Sequence, residues 1–247
     1  MTRHVRYSMD PSCSPATRDH LTGIRYGILG SDVPEGARLL PPCSPSKIVC
    51  VGRNYVEHAR ELGNEVPSEP LLFLKPPSSL LGSNDAIVYP KQSQNVHFEG
   101  ELGVVIGKEA RNIARANAFD YVLGYTCVND VTARDIQRKD VQFTRGKGFD
   151  TFCPVGPWMV PADDFDLSAA RIQTRIDGEV RQDAPLSDMI FSVDAILSYI
   201  TEHMTLMPGD LIATGTPPGV GPVQPGSVIE VEITGIGTLR NPVVREE

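Results

Sequence analysis

Short runs of alternating or mainly apolar residues occupy most of the chain, and such runs are typical of β-strands. Many of them end at Gly, Pro, Asn or Asp, which favour turns. The pattern predicts strands at residues 24–29, within 37–46, and at 47–52, 71–75, 86–90, 101–107, 121–130, 155–160, 170–177, 211–215, 228–235 and 238–244. Asp177 and Gly178 separate RIQTRI from EVRQDA and predict a two-residue hairpin, because both residues tolerate positive φ. We therefore expect antiparallel β-structure to dominate.

Three segments have helical patterns instead: Asn54 to Leu62, Asn112 to Phe119, and Ser192 to Met204. The third places its apolar residues on one stripe, with Ser192 as the expected N-cap. Few helices, set between strands without regular βαβ alternation, predict a β-rich α+β fold. We expect a small N-terminal segment over residues 1–45, whose first 20 residues form a partly ordered arm, and a catalytic domain over residues 46–247.

Composition restricts the partners and the compartment. The net charge of -8 argues against nucleic-acid and anionic-membrane partners, so a small anionic ligand would need a local cluster of Arg and Lys. The five cysteines are odd in number and scattered, which predicts neither a disulfide framework nor a zinc site. No apolar run is long enough to span a membrane. These features predict a cytoplasmic protein.

The segment VHFEGELGVVIG, residues 96–107, carries acidic residues inside an apolar strand pattern. Glu99 and Glu101 are two residues apart and therefore point to one face of a strand, roughly 6–7 Å apart along the chain, with His97 next in line. The other face is apolar and predicts core residues, namely Phe98, Leu102, Val104 and Ile106.

Two partly desolvated carboxylates at this distance repel each other unless a cation lies between them. A hard divalent ion such as Mg²⁺ or Mn²⁺ prefers oxygen ligands, and Asp130, at the end of the strand-like YTCVND, is the best third ligand. The same E-x-E spacing also occurs on solvated strand faces that hold no ion. His97 is expected to have a structural role and not to be a ligand.

Seven segments, in this order, resemble the fumarylacetoacetate hydrolase family: GRNYVEHARELG, FLKP, HFEGELGVVIG, YTCVNDVTARDIQ, FTRGKGFDTFCPVGP, SDMIF and GDLIATGTPPGVGP. The resemblance covers about residues 46 to 244 and is closest to the compact branch of acylpyruvate hydrolases, oxaloacetate decarboxylases and isomerases of aromatic catabolism. It implies a mixed β-sandwich roll, usually a homodimer, that holds Mg²⁺ or Mn²⁺ through Glu99, Glu101 and Asp130.

The resemblance also implies a lid helix with a catalytic pair. His58 and Glu61 are three residues apart and share a helix face, so the carboxylate can orient the imidazole as a general base. An ordinary solvated helix face would show the same spacing. Lys147, in TRGKGF, matches the family's active-site lysine and would neutralise an enolate or hold a carboxylate. Since Gly follows Lys147, the segment does not match a nucleotide-binding loop.

Five further residues are expected to contact the substrate: Arg53, Lys75, Arg134, Gln137 and Thr216. For Arg134, a structural salt bridge with Asp135 or Asp140 is an open alternative. The cations among them would supply the local positive field that the acidic chain lacks.

The function predicted from these features is metal-dependent conversion of 2-oxo or 2-hydroxy-enoate dicarboxylic acids through an enolate. Acylpyruvate hydrolysis with oxaloacetate decarboxylation is the preferred reaction. A 2-hydroxyhepta-2,4-diene-1,7-dioate isomerase or a 5-oxopent-3-ene-1,2,5-tricarboxylate decarboxylase is the alternative within the family. A non-catalytic protein that binds dicarboxylates through a metal is the alternative outside enzymes.

Overall fold

Strands make up most of the regular structure in the computed structural model, which describes residues 1–10, 13, 24–61, 63 and 65–247. The strands of the described residues are β1 (His4–Ser8), β2 (Arg25–Ile28), β3 (Arg38–Leu40), β4 (Ile48–Gly52), β5 (Leu71–Lys75), β6 (Leu80–Leu81), β7 (Ile87–Tyr89), β8 (Val96–Phe98), β9 (Gly100–Ile106), β10 (Val122–Asn129), β11 (Thr132–Ala133), β12 (Cys153–Pro161), β13 (Arg171–Ile176), β14 (Glu179–Pro185), β15 (Leu211–Ala213), β16 (Gly221–Pro222), β17 (Val228–Ile233) and β18 (Gly237–Arg245).

The helices of the same residues are few and short. The α-helices are α1 (Val56–Glu61), α2 (Arg134–Asp140), α3 (Thr144–Lys147) and α4 (Val193–His203), and short 3₁₀ helices occupy Pro77–Ser79, Arg115–Tyr121, Ala162–Asp164 and Leu186–Asp188. The β-rich α+β fold class predicted from the sequence is confirmed.

Three sheets organise the described strands. The largest runs in the order β2-β1-β12-β10-β9-β15-β4-β5, with β3 paired to β1 and β6 paired to β12. A second sheet has the order β14-β13-β17-β18-β7, and a small third sheet has the order β11-β8-β16. Among the described pairs of strands only β12 with β6, β15 with β4 and β18 with β7 are parallel, so the predicted dominance of antiparallel pairing is confirmed.

The main hydrophobic core includes residues from both large sheets. Leu102 and Val104 of β9 belong to the same buried cluster as Ile172 of β13 and Val231 of β17. Phe98 and Ile106 are buried in this cluster too, which confirms the apolar face predicted for residues 98 to 106. Burying each such side chain stabilises the fold by roughly 1.5–3 kcal/mol.

The acidic segment folds as two strands and not as the single strand that its pattern predicts. β8 ends at Phe98 and belongs to the third sheet, whereas β9 begins at Gly100 and belongs to the largest sheet. Glu99 lies between them, where the chain passes from one sheet to the other. Gly100 permits a close approach of the second sheet at this point, because a Cβ atom there would lie 2.1 Å from Thr174 Oγ1.

The hairpin and two of the predicted helices are confirmed. Asp177 and Gly178 have φ values of 54° and 85°, and Ile176 pairs with Glu179 across the turn. Helix α1 begins at Val56, later than predicted, because the Asn54 carbonyl accepts from the Ile190 N–H at 2.8 Å and Tyr55 bridges to Met189. Leu62, the predicted end of this helix, lies outside the described residues.

One local prediction needs correction. Residues 112–119 do not form an α-helix: Asn112 has φ 51°, which breaks a helix, and the 3₁₀ helix starts only at Arg115. Ser192 does hold the N-cap position of α4, but its side chain makes no capping hydrogen bond and accepts one from Arg115 at 2.9 Å.

The N-terminal segment contributes β1, whose residue His4 pairs with Met159 of β12 in the largest sheet. The domain boundary predicted at residue 45 stays a prediction. The largest sheet contains strands from both sides of it. Of the predicted arm, residues 11, 12 and 14–20 lie outside the described residues.

Candidate metal centre and active-site cavity

Three carboxylates meet where β9 and β10 pair. Glu101 is on β9, Asp130 directly follows β10, and Asn129 lies opposite Gly100 in this antiparallel pair. The Asp130 N–H donates to the Glu99 carbonyl at 2.8 Å, which fixes the two chains side by side. One carboxylate oxygen from each of the three acidic residues lies within 4.8 Å of the others, and all three residues are buried. The structure therefore brings the three predicted ligands together.

Buried cations neutralise two of these carboxylates. Lys147 Nζ lies 2.6 Å from Glu99 Oε2 and 2.5 Å from Asp130 Oδ2, and Lys75 Nζ lies 2.6 Å from Asp130 Oδ1. The Arg134 guanidinium pairs with Glu99 Oε1. Burial alone would raise the pKa of Glu99, but Lys147 and Arg134 outweigh burial and hold that pKa below its ordinary value. For Lys147, burial opposes the charge, yet Asp130 and Glu99 raise its pKa.

Glu101 has no cationic partner among the described residues. Its Oε2 accepts a hydrogen bond of 2.8 Å from the Gly215 backbone N–H, and only 2% of the residue is exposed. Burial raises its pKa well above the ordinary value, and the negative charges of Asp130 and Glu99 raise it further. Glu101 is thus a buried carboxylate that two others repel, and a hard divalent cation bound to its oxygens would neutralise its charge. The residues present thus fit Mg²⁺ or Mn²⁺.

His97 lies outside this group of three. Its Nε2 is 3.0 Å from Asn95 Oδ1, and burial lowers its pKa to about 4, so the imidazole is neutral at pH 7. The placement agrees with the structural role expected from the sequence.

His58 and Glu61 form a contact on α1, as their spacing predicts. His58 Nδ1 lies 3.5 Å from Glu61 Oε2, and His58 is buried whereas Glu61 is partly exposed. Burial lowers the pKa of His58, an effect larger than the opposing attraction of Glu99. Glu61 also accepts hydrogen bonds of 3.2 Å from the Gly219 N–H, which ties α1 to the loop that follows β15. A neutral imidazole oriented by a carboxylate can act as a general base.

These groups lie around one cavity of about 310 Å³. Its walls are formed by Val51, Gly52, Arg53, His58, Phe73, Glu99, Glu101, Asp130, Arg134, Gln137, Arg138, Val141, Phe143, Lys147 and Thr216. Nine of these residues are predicted site residues, namely Arg53, His58, Glu99, Glu101, Asp130, Arg134, Gln137, Lys147 and Thr216.

Lys75 and Glu61 do not line this cavity. Lys75 is buried behind Asp130, with its ammonium bonded to that carboxylate and, at 3.1 Å, to the Val131 carbonyl. The expected place of Lys75 at the cavity wall is corrected: its ammonium holds the Asp130 carboxylate from the side away from the cavity. The sequence cannot separate these two places, because both put a cation near Asp130. Glu61 lies beside His58 and reaches the cavity only through that contact.

The ion-pair partner of Arg134 is Glu99, and not Asp135 or Asp140 as the structural alternative proposed. Asp135 accepts hydrogen bonds from Ser93 and Gln94. Asp140 pairs with Arg145. Arg134 also donates to Gln137 Oε1 at 2.8 Å, so the two predicted substrate contacts are linked to each other.

Sequence reasoning missed the apolar part of the cavity wall. The rings of Phe73 and Phe143 meet edge to face at 5.4 Å, and Lys147 Nζ lies 4.9 Å from the centre of the Phe73 ring. Val141 has φ 64°, which is rare for a β-branched residue. It is the central residue of a tight turn that is closed by a 2.6 Å hydrogen bond from the Gln142 N–H to the Asp140 carbonyl. Phe73 and Phe143 begin two of the seven segments, but the segments do not show that β5 and the connection between α2 and α3 bring these rings together at the cavity.

A buried glutamine, also missed, supports the site from the second sheet. Gln182 Nε2 donates to Thr216 Oγ1 at 2.7 Å and to the Pro217 carbonyl at 2.8 Å, and its Oε1 accepts from the Gly100 N–H at 3.1 Å. Thr216 in turn donates to the Gly100 carbonyl at 2.8 Å. The loop after β15 is thereby bonded to the backbone between Glu99 and Glu101.

No helix in the described part of the chain is both long and apolar enough to cross a lipid bilayer.

Fold and site together define a strand-rich α+β protein with a buried three-carboxylate centre that opens onto a cavity. The chain matches the family model described as fumarylacetoacetate (FAA) hydrolase C-terminal over residues 47–244, and it therefore belongs to the fumarylacetoacetate hydrolase family. The resemblance of the seven sequence segments is confirmed.

Named relatives differ in the reactions that their names state. A mitochondrial oxaloacetate decarboxylase of Dictyostelium discoideum is 50% identical over 198 residues, which cover 78% of this chain and 90% of that protein. The crystal structure of 2-hydroxyhepta-2,4-diene-1,7-dioate isomerase from Mycobacterium marinum is 42% identical with a TM-score of 0.84, and the match covers 100% of this chain and 99% of that one.

A third similar protein was crystallised with a metal. Fumarylpyruvate hydrolase from Pseudomonas aeruginosa, in complex with Mn²⁺ and pyruvate, is 36% identical with a TM-score of 0.79, and the match covers 88% of this chain and 94% of that one. The names of these three relatives describe a decarboxylase, an isomerase and a hydrolase, so the family likeness supports an enzyme without choosing the reaction.

Proposed function

We propose that this chain is a divalent-metal-dependent enzyme that converts 2-oxo dicarboxylic acids through an enolate, chiefly as an acylpyruvate hydrolase that also decarboxylates oxaloacetate. One observation carries the proposal: three buried carboxylates and a buried, neutral histidine open onto the same cavity. A decarboxylase and a hydrolase among the similar proteins support it.

The residues of the chain supply the charge and the base. A Mg²⁺ or Mn²⁺ held by Glu99, Glu101 and Asp130 would polarise the 2-oxo group and stabilise negative charge on the enolate. Lys147 and Arg134 place positive charge beside the same end of the substrate.

Hydrolysis requires a base for the attacking water, and His58 fits this role. The imidazole accepts a proton from water that attacks the acyl carbon, the C–C bond breaks to release a carboxylic acid, and the remaining enolate takes up a proton to give the 2-oxo acid. Glu61 keeps the imidazole oriented during the transfer. Decarboxylation of oxaloacetate uses the same enolate but needs no water, so His58 matters less for that reaction.

An isomerase is the second candidate, because the isomerase of Mycobacterium marinum matches the whole length of this chain at 42% identity. Isomerisation moves a double bond through the same enolate and needs no activated water. A protein that only binds dicarboxylates is disfavoured, since binding requires no base beside the acidic centre. The homodimer and the cytoplasmic location stay predictions.

The experiment that tests the proposal is turnover of a substrate panel by the full chain with Mg²⁺ or Mn²⁺ and again with excess EDTA. The panel is oxaloacetate, acetylpyruvate, fumarylpyruvate and 2-hydroxyhepta-2,4-diene-1,7-dioate. We expect metal-dependent hydrolysis of an acylpyruvate and decarboxylation of oxaloacetate, both abolished by EDTA and restored by added metal. Turnover of the diene-dioate alone would identify the isomerase, and binding of these acids without any product would contradict an enzyme.

A further inference from the structure

Two arginine side chains of the cavity wall have no hydrogen-bond or ion-pair partner among the described residues. Arg53 follows β4, and Arg138 lies on α2, and both line the cavity that the three carboxylates share. The other lysine and arginine of this wall, Lys147 and Arg134, are bound to Glu99 and Asp130. Arg53 and Arg138 are therefore the cations of the wall that remain available to a ligand.

Arg138 lies one helical turn after Arg134, which pairs with Glu99 of the acidic centre. The two residues are four apart in the helix and thus share a face. Arg134 is buried against Glu99, whereas Arg138 is exposed. Following α2 from Arg134 to Arg138 therefore leads from the floor of the cavity to its mouth. Arg53, half-buried, has a φ of 58°, which is unusual for a residue with a side chain.

Apolar side chains form another part of the same cavity wall. Val51, Phe73, Val141 and Phe143 all line it, and Phe73 packs edge to face on Phe143. A ligand with charged groups at both ends and hydrocarbon between them matches a wall of this composition. The net charge of -8 repels such an anion from most of the protein surface. Arg53 and Arg138 would attract it locally, at the cavity.

We propose that Arg53 and Arg138 bind the distal carboxylate of the substrate while its 2-oxo acid end occupies the centre at Glu99, Glu101 and Asp130. The site then selects diacids whose carbon chain reaches the mouth of the cavity over monoacids of the same length. The inference rests on the proposed function and adds to it the residues that recognise the distal carboxylate. Arg138 and Arg53 act as specificity residues, since they touch the end of the substrate that does not react.

A matched pair of compounds isolates the distal charge: fumarylpyruvate and its distal monomethyl ester. The two have the same carbon chain between their carboxyl groups and the same 2-oxo acid end, and they differ in one negative charge and one methyl group. The variants are Arg138→Gln and Arg53→Gln, and Lys139→Gln serves as the control because Lys139 is exposed on the same helix but does not line the cavity. Each protein is the full chain with saturating Mn²⁺.

We expect the unchanged protein to prefer the diacid by roughly tenfold or more in kcat/KM, and 0.5 M salt to reduce this preference. Each arginine variant should lose most of the preference through a higher KM for the diacid, with kcat nearly unchanged and the ester little affected. Lys139→Gln should behave like the unchanged protein.

Equal losses on the diacid and the ester, or no loss on the diacid, would overturn the inference while leaving the proposed function intact. If the unchanged protein turns over neither compound, the proposed function is decided on the full substrate panel, and the same comparison is then made on dissociation constants from calorimetry. A preference for the diacid that disappears in the arginine variants supports the inference in that case too. Equal affinities for both compounds in the unchanged protein would overturn it.

Discussion

The protonation state of His58 is set by its surroundings. Only 4% of the residue is exposed, and this burial lowers the pKa of the imidazole more than the nearby carboxylates raise it. A histidine whose pKa is lowered stays neutral down to a lower pH than an ordinary histidine does. The residue can therefore accept a proton at neutral pH. It loses this ability only at a pH below the lowered pKa of its imidazole, which is more acidic than for an ordinary histidine.

Replacing His58 separates the reactions that share the enolate. We expect His58→Ala to lower kcat for acylpyruvate hydrolysis by roughly 10²–10⁴-fold, as for loss of a general base, and to reduce oxaloacetate decarboxylation far less. The control is Arg60→Ala on the same helix, since Arg60 is exposed and pairs with Glu57. Equal losses in both reactions, or loss of diene-dioate isomerisation alone, would contradict the role of His58 in water activation.

The pH profile of hydrolysis gives an independent check on the same residue. Because the folded pKa of His58 lies below the ordinary value of 6.5, protonation should abolish hydrolysis only below that pH. The acid limb of kcat/KM in the unchanged enzyme should therefore lie below pH 6.5. An acid limb above pH 6.5 would mean that the base is not a buried histidine.

At the scale of residues, the sequence predicted which charged side chains meet at the cavity better than it predicted the apolar residues around them. Glu99, Glu101 and Asp130 could be found because strand periodicity and strand ends place carboxylates on a shared rim. Lys75 was predicted to face the cavity, but it contacts Asp130 from the other side. An amino-acid sequence does not show which side of a carboxylate faces a cavity. Arg138 could not be found, because its position depends on where α2 starts and packs.

At the scale of elements, the site depends on contacts between a loop and two sheets. The loop after β15 has little regular structure of its own, and Gln182 on β14 bonds it to the backbone at Gly100. Every polar atom of the Gln182 amide group contributes to these bonds. The second sheet therefore holds both Thr216 and the chain between two of the acidic residues.

Loss of these bonds should change both stability and metal binding. We expect Gln182→Leu, of similar size, to lower the free energy of unfolding by about 1–3 kcal/mol, because buried partners lose their hydrogen bonds. Urea unfolding measures this change, and Gln173→Leu on the neighbouring strand is the control, since its side chain is only partly buried. We also expect weaker Mn²⁺ binding by calorimetry in Gln182→Leu at temperatures where it is folded. Unchanged Mn²⁺ affinity would mean that Gln182 stabilises the fold without positioning the site.

Elements defined by local chemistry could be predicted from the sequence, whereas those defined by distant partners could not. The Asp177-Gly178 hairpin and helix α4 follow from turn and helix patterns within a few residues. The division of residues 96–107 at Glu99 could not be read from the pattern, because β8 and β9 have a continuous apolar face. Their separation comes from pairing with β11 and β16 on one side and β10 and β15 on the other.

For the whole molecule, the order of the strands and the charge balance of the site were beyond sequence reasoning. β9 lies between β10 and β15, which are far apart in sequence, and this arrangement brings Gly215 to Glu101. Three cations, Lys75, Arg134 and Lys147, surround Glu99 and Asp130, and none of the residues that the structure describes forms an ion pair with Glu101. The predicted fold class and the three-carboxylate centre were correct because each was signalled by several independent segments.

The central claim is that Glu99, Glu101 and Asp130 together bind one divalent cation, and anomalous diffraction from crystals grown with Mn²⁺ tests it most directly. We expect a single strong manganese peak between the three carboxylates, with an oxygen of each at about 2.2 Å, and we expect the peak to be lost or greatly weakened in Glu101→Gln. A manganese peak elsewhere, or three carboxylates neutralised by lysine and arginine with no metal between them at saturating Mn²⁺, would contradict the account.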